Sequence, residues 1–175
     1  MKPEIDELYA QALAHLDGWE LDQAEECLRE LIELDPEHAR GYNKLGVVFA
    51  RRKDLRQAED CFNQAVALDP DLAAAHSNLG NIYSEHGWTD RAKEAYERAL
   101  ALDPGNPTAM HNLGVLFRKS GDIGKGVSML KQASKAERYR FRDKARRDPS
   151  TRRIISLGWI IVIGIGLVLF FLFNR

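Results

Sequence analysis

The sequence lacks the residue patterns from which most catalytic and metal centres are built. It has only two cysteines, Cys27 and Cys61, and five histidines in 175 residues, and no subset of these has the spacing of a metal-ligand set. A glycine-rich phosphate loop and a Ser/His/Asp arrangement are also missing. We therefore expect that the chain is not an enzyme and that it needs no metal or cofactor.

Signals for secretion are missing as well. The first ten residues, MKPEIDELYA, are acidic and contain no apolar stretch, which argues against a secretory signal peptide or an arginine-rich transit peptide. Two cysteines are too few for the disulfide framework of a small secreted domain. We expect both to be reduced packing residues of an intracellular protein.

Charge is distributed very unevenly along the chain, although the net charge is only −1. Residues 1–133 contain 15 Lys or Arg against 23 Asp or Glu, whereas residues 134–153 contain nine against three. Residues 154–173 contain no charged side chain. An acidic body, a basic stretch and an uncharged segment therefore need separate interpretations.

A period of 34 residues runs through the acidic body. The tetrapeptide ELDP or ALDP recurs at 33–36, 67–70 and 101–104. A second block aligns without gaps as YNKLGVVF, HSNLGNIY and MHNLGVLF at 42–49, 76–83 and 110–117. Cys27 and Cys61 are separated by the same 34 residues. A fixed period of this length predicts a stack of similar supersecondary units.

Apolar spacing within each unit is helical. Leu45 and Phe49 are four residues apart in the first half of a unit, and Ala58 and Phe62 are four apart in the second, as on one face of a helix. Gly46 leaves room for a neighbouring helix, and an aromatic ring from the second half would fill the gap between the two. We predict two closely packed helices per unit.

Helix boundaries are marked by residues suited to helix ends. Asp54, Asp122 and the pair Asn106–Pro107 stand where helices should begin. The second helix of a unit should end just before a proline at Pro36, Pro70 or Pro104.

These features resemble those of tetratricopeptide repeat proteins. The L-G-x2-Y, A-x3-F and P positions of that motif are matched by Leu79, Gly80, Tyr83, Ala92, Tyr96 and Pro104. The resemblance covers about residues 5–138 and implies an all-α solenoid of about four helix–turn–helix repeats. We place the solenoid domain at 1–140 and its repeats at about 5–38, 39–72, 73–106 and 107–140.

The terminal repeats depart from the motif. The first has Gln11 and Ala12 where Leu-Gly is expected. The fourth has Gly124 and Gly126 in its second helix, each of which weakens a helix by about 1 kcal/mol relative to Ala. We expect this helix to continue through SKAERYRFRDKARR (134–147) until Pro149.

A stacked solenoid offers a concave wall lined by the first helix of each repeat. We predict that polar residues on this wall contact a partner: Asn43, Lys44, Ser77, Asn78, Asn81, His111, Asn112 and Arg118. A side-chain amide can donate and accept hydrogen bonds, and the resemblance implies that Asn78 and Asn112 bind the main chain of a peptide. Asn78 and Asn112 occupy equivalent positions 34 residues apart and would form a ladder of amides along the wall. Lys44 stands at the equivalent position one repeat earlier and interrupts this ladder. The alternative is that the asparagines are packing and helix-surface residues.

The uncharged segment 154–173 predicts a single transmembrane helix. Fifteen of its twenty residues are Ile, Leu, Val or Phe, and twenty helical residues span ~30 Å at ~1.5 Å each, the thickness of a hydrocarbon core. Arginines are concentrated on its N-terminal side, at 146, 147, 152 and 153, which predicts a cytoplasmic body. The basic neck (141–153) should contact anionic lipid, and we do not expect nucleic acid to bind.

These expectations combine into a tail-anchored adaptor that recruits a soluble protein or peptide to the cytoplasmic face of a membrane. The membrane would be the inner membrane of a bacterium or the outer membrane of a eukaryotic organelle. Two alternatives stay open: a scaffold or assembly factor for a membrane complex, in which the chain could form a homo-oligomer, and a co-chaperone that binds the C-terminal tail of a chaperone.

Overall fold

The computed structural model describes residues 2–147, and within this range it contains eight α-helices and no strand. The helices are α1 (Lys2–Asp17), α2 (Leu21–Leu34), α3 (Ala39–Arg51), α4 (Leu55–Leu68), α5 (Ala73–Glu85), α6 (Thr89–Leu102), α7 (Pro107–Lys119) and α8 (Ile123–Arg147). The predicted all-α class is confirmed. One pair of consecutive helices overlaps each predicted repeat range, with α1 beginning before residue 5 and α8 ending after residue 140. Helix α8 continues through the segment 134–147.

Two compact units divide the chain, one formed by residues 1–133 and one that begins at residue 134. In the first, each helix from α1 to α6 contacts the next one along the chain, and α5 also contacts both α3 and α7. None of the helices within residues 2–147 is long and apolar enough to cross a membrane. Pro149 and the predicted transmembrane helix at 154–173 lie outside the described residues.

A glycine and an aromatic ring meet where the two helices of a central repeat cross. A Cβ atom added to Gly46 would lie 2.6 Å from the ring of Phe62, and one added to Gly80 would lie 2.5 Å from the ring of Tyr96. Both distances are too short for a real contact, so the glycines set how closely the helices approach. This confirms the predicted packing of a small residue against a ring.

The outer repeats fill the same crossing with different residues. Sixteen residues separate the members of each central pair, and the same separation gives Ala12 with Leu28 in the first repeat, both fully buried. In the last repeat a Cβ on Gly114 would lie 3.1 Å from Leu130 Cγ and 3.1 Å from the Gly126 carbonyl oxygen. Gly126, which weakens α8 by propensity, thus permits close approach to α7.

Helix ends follow the predicted capping pattern. The side chains of Asp54, Asn106 and Asp122 each accept a hydrogen bond from the backbone N–H three residues later, at 3.1, 3.0 and 3.1 Å. In the repeated LDP segment a carboxylate oxygen of the aspartate accepts from the backbone N–H two residues later, at 3.3, 3.1 and 3.0 Å for Asp35, Asp69 and Asp103. This bond turns the chain between repeats, directly after the helix has ended.

The turn between the two helices of each repeat contains a residue in the left-handed region. In the last two turns it is a glycine, Gly87 (φ 77°) or Gly121 (φ 93°). In the first two it is Trp19 (φ 61°) or Lys53 (φ 66°). A residue with a Cβ is strained in this region by roughly 1–2 kcal/mol, so the first two turns keep a side chain at an energetic cost.

Candidate functional site

The wall formed by α3, α5 and α7 contains two neighbouring hollows that share one residue, Asn81. The first hollow has a volume of about 380 Å³ and is lined by Trp19, Val47, Ala50, Arg51, Lys53, Phe62, Asn78, Asn81 and Ile82. The second has a volume of about 330 Å³ and is lined by Asn81, Ser84, Glu85, Tyr96, Asn112, Val115 and Leu116. We refer to the two hollows together as the amide groove.

Asparagine side chains along the groove bond to one another from helix to helix. Asn78 Nδ2 on α5 donates to Asn43 Oδ1 on α3 at 2.9 Å. Asn112 Nδ2 on α7 donates to Asn81 Oδ1 on α5 at 2.6 Å. The Tyr96 hydroxyl on α6 donates to the same Asn81 oxygen at 2.8 Å. The amides are therefore fixed in orientation by the stacking of the repeats.

Three of these amides, those of Asn78, Asn81 and Asn112, each keep one polar atom available. Asn81 uses both acceptor positions of its oxygen internally, and its Nδ2 donor has no protein partner among residues 4–143, nor do the oxygens of Asn78 and Asn112. None of the three atoms is fully buried. One donor and two acceptors can thus pair with the N–H and C=O groups of an extended chain.

Tyr96 supports this arrangement from beneath. Its side chain is 1% exposed, and burial raises the pKa of its hydroxyl to about 12. The phenol is therefore a neutral donor at physiological pH and holds the Asn81 oxygen in place.

The eight residues predicted to contact a partner fall into different environments. Asn78, Asn81 and Asn112 line the amide groove. Asn43 and Ser77 are only 5% and 3% exposed and line neither hollow. Ser77 Oγ is buried and has no hydrogen-bond partner within the described residues.

The three remaining predicted residues do not line either hollow. Lys44 is half-buried on α3, and His111 is exposed on α7. Arg118 lies at the end of α7 beside α8, because a Cβ on Gly126 would lie 2.4 Å from Arg118 Cγ. The predicted residues that line the groove therefore lie on α5 and α7, and Asn43 on α3 is bonded to one of them, Asn78.

Sequence reasoning missed the residues that close one end of the first hollow. The Arg51 guanidinium carbon lies 4.5 Å from the centroid of the Trp19 ring, and an Arg51 N–H donates to the Leu16 carbonyl oxygen. Trp19 itself is 68% exposed. One feature of the sequence points to Trp19: it aligns with Gly87 and Gly121 at the 34-residue period, so a tryptophan stands where later repeats have a turn glycine.

No group of three or more potential metal ligands is found in the part of the chain that the structure describes. The groove is lined mainly by neutral amides and apolar side chains, with Arg51, Lys53 and Glu85 at its margins. Such a surface can bind through hydrogen bonds and apolar contacts.

Three tetratricopeptide repeat family models match the sequence, at residues 9–73, 73–106 and 95–128. No curated protein matches it significantly. Among solved structures, a crystal structure of MamA is similar with a TM-score of 0.65 and 27% identity over 79% of this chain and 81% of that one.

Two other solved structures share the fold over much of this chain. A Thermobaculum terrenum O-GlcNAc transferase mutant has a TM-score of 0.64 and 25% identity over 66% of this chain, but only 22% of its own length is covered. The first repeat domain of Spaghetti bound to an HSP90 peptide has a TM-score of 0.63 and 24% identity, with 68% of this chain and 94% of that one covered.

Proposed function

Since this chain is built on tetratricopeptide repeats, we propose that it binds an extended segment of a partner protein in the amide groove and that the segment 154–173 holds it at a membrane. It acts by binding and not by catalysis, because neutral amides do not ionise near neutral pH and offer only hydrogen bonds. The partner is recruited to the cytoplasmic side.

One observation carries the binding proposal: the amides of Asn78, Asn81 and Asn112 are oriented by internal hydrogen bonds and still offer three unpaired atoms in the groove. A ligand that pairs with them does not have to pay for ordering these side chains. Main-chain pairing gives affinity that depends little on the partner's sequence. The HSP90 peptide bound by the Spaghetti domain is consistent with a peptide as the ligand class.

Membrane attachment is supported by the sequence. Residues 154–173 are uncharged and long enough for a helix that spans ~30 Å of hydrocarbon. The excess of arginine just before this segment supports a cytoplasmic position of the repeats, by the positive-inside rule. The basic neck adds attraction to anionic lipid.

Peptide binding is tested with the full chain in detergent and an array of short extended peptides. Asn78→Ala and Asn112→Ala should each lower the affinity for every peptide that binds. Each change removes a hydrogen bond to the peptide main chain, and each also removes the hydrogen bond that orients Asn43 or Asn81. Asn63→Ala is the matched control, since Asn63 is exposed on α4 and lines neither hollow. Equal binding by all four proteins would exclude the amide groove as the site.

Membrane attachment is tested separately by alkaline extraction of membranes that contain a tagged chain. We expect the chain to stay in the pellet, and two aspartates introduced at Ile161 and Leu167 should release it. Release of the unaltered chain would contradict the proposal. Sedimentation of the full chain in detergent would detect the scaffold alternative as a stable oligomer. In the peptide assay, loss of binding on amidation of the peptide C-terminus would detect a chaperone tail.

A further inference from the structure

We infer that the first hollow is a side-chain subsite for an apolar residue of the bound segment that has a carboxylate residue next to it. This inference rests on the proposed function and specifies the partner: an extended peptide with an aliphatic or aromatic side chain beside Asp or Glu. Its support comes from the floor, the rim and the charge of the hollow.

The floor of the hollow is apolar. Ile82 and Phe62 are 2% and 1% exposed at its base, and the half-buried Val47 and Ala50 of α3 complete it. The repeat period aligns Ala50 with Leu16, Ser84 and Arg118. The short side chain of Ala50 leaves space at this point that a partner's apolar group can fill, with the gain that follows from its removal from water.

Trp19 forms the rim of the hollow, and its backbone conformation is strained. Its φ of 61° is a conformation that favours glycine, and the later turns do have glycine there. Strained residues of this kind concentrate at ligand-binding positions. The ring is held over the hollow by Arg51, which stacks on it at 4.5 Å, yet it stays 68% exposed. A pre-positioned exposed ring is suited to cover an inserted side chain.

The charge of the hollow is opposite to that of the body. Arg51 and Lys53 line it, and among the described residues no carboxylate does, although residues 1–133 have an excess of acidic residues. Within residues 4–143, none of the ion pairs involves Arg51 or Lys53. The second hollow instead has Glu85. A carboxylate on the bound segment, next to its apolar residue, would therefore pair with Arg51 or Lys53.

The test measures fluorescence anisotropy of labelled, amidated peptides with the full chain in detergent. The peptides share an alanine and serine background that carries a Leu-Glu pair, and the pair is changed to Ala-Glu or Leu-Gln in two others. We expect Leu-Glu to bind about tenfold or more tightly than Ala-Glu, as expected for burial of a leucine side chain, and several-fold more tightly than Leu-Gln.

Two variants assign these preferences to residues without harming the fold. Trp19→Gly should abolish the preference for Leu, and Lys53→Gly should reduce the preference for Glu. Both place glycine at a positive φ, so the thermal midpoint should not fall. Trp88→Ala is the matched control, because Trp88 is 43% exposed and lines neither hollow; it should leave both preferences intact.

The outcomes separate the subsite from the groove. If peptides bind in a manner that depends on Asn78 and Asn112 but without preference for Leu or Glu, the subsite is overturned and the proposed function stands. If no peptide binds the unaltered chain, both are overturned. If Trp19→Gly lowers the thermal midpoint together with the affinity, Trp19 is a structural residue and the subsite is again overturned.

Discussion

The Tyr96 hydroxyl donates a 2.8 Å hydrogen bond to Asn81 Oδ1, so a buried residue of α6 fixes a groove residue of α5. The Tyr96 ring packs on the crossing at Gly80 while its polar end reaches the wall where a ligand would bind. One side chain thus links the packing within a repeat to the orientation of the binding surface.

Removal of this hydroxyl should affect binding more than packing. Tyr96→Phe keeps the ring on Gly80, and we expect a loss of about 1 kcal/mol in the free energy of unfolding, as for one hydrogen bond. Peptide affinity should fall as well, because Asn81 then has only Asn112 to orient it. Tyr83→Phe is the control, because its hydroxyl takes part in an exposed 3.4 Å contact with Arg91. Urea unfolding followed by circular dichroism measures both variants, and an equal loss would contradict the assignment.

Glycine substitutions should have opposite effects at two sites. Gly80→Ala would place a Cβ 2.5 Å from the Tyr96 ring, and such overpacking costs about 1–3 kcal/mol. Gly124→Ala meets no atom within 4 Å and should be neutral or stabilising by up to ~1 kcal/mol, since alanine is the better helix former. Thermal unfolding compares the two, and destabilisation by Gly124→Ala would show that α8 is packed differently.

The first repeat indicates how an added methyl group at the crossing can be accommodated. Ala12 and Leu28 occupy the positions that Gly80 and Tyr96 occupy in the third repeat. We therefore expect Gly80→Ala with Tyr96→Leu to be less destabilising than the sum of the single changes, by roughly 1 kcal/mol or more, because contacting residues couple. A double-mutant cycle by urea unfolding measures this coupling. Strict additivity would contradict it.

Tyr96 should also make stability depend on alkaline pH. Burial raises its pKa from 10.0 to about 12 in the folded chain, so the contribution is fully present below pH 10 and is lost as the pH rises toward 12. The slope approaches ~1.4 kcal/mol per pH unit between these values. The measurement is urea unfolding at several pH values in a Cys61→Ala background. Tyr96→Phe should remove the decrease in the free energy of unfolding between pH 10 and 12. If the decrease is unchanged in Tyr96→Phe, another group causes it.

The thiol of Cys61 should react slowly in the folded chain. Burial raises its pKa from 9.0 to about 11, so its thiolate fraction near pH 8 is about a hundredfold lower than that of an unperturbed thiol, and the thiolate is the reactive form. In a Cys27→Ser background, alkylation by iodoacetamide should be at least ~100-fold slower than for free cysteine and should accelerate in urea. Rapid alkylation without urea would contradict the burial.

Helix ends and the helix crossing within a repeat could be predicted from the sequence. The LDP segments place helix ends because a short carboxylate can bond the backbone two residues later, and Gly46 with Phe62 marks a crossing because both positions recur with the period. These interactions depend on residues of one repeat and on the geometry of a single helix pair.

The groove could be predicted only in part. The period places Asn78 and Asn112 at equivalent sites on α5 and α7, but their partners Asn43 and Asn81 are set by the offset between stacked helices. That offset also buries Asn43 and Ser77. Trp19 was missed because apolar periodicity describes helix faces and says little about a turn residue with a positive φ.

In the first three repeats the volume at the helix crossing is divided between two positions sixteen residues apart: glycine with a ring in the central repeats, Ala12 with Leu28 in the first. A larger residue at one of these positions accompanies a smaller residue at the other, whereas in the last repeat the Gly126 backbone approaches Gly114 together with Leu130. Across related chains these positions are therefore expected to covary, and comparison of single positions would count as divergence what the helix pair preserves.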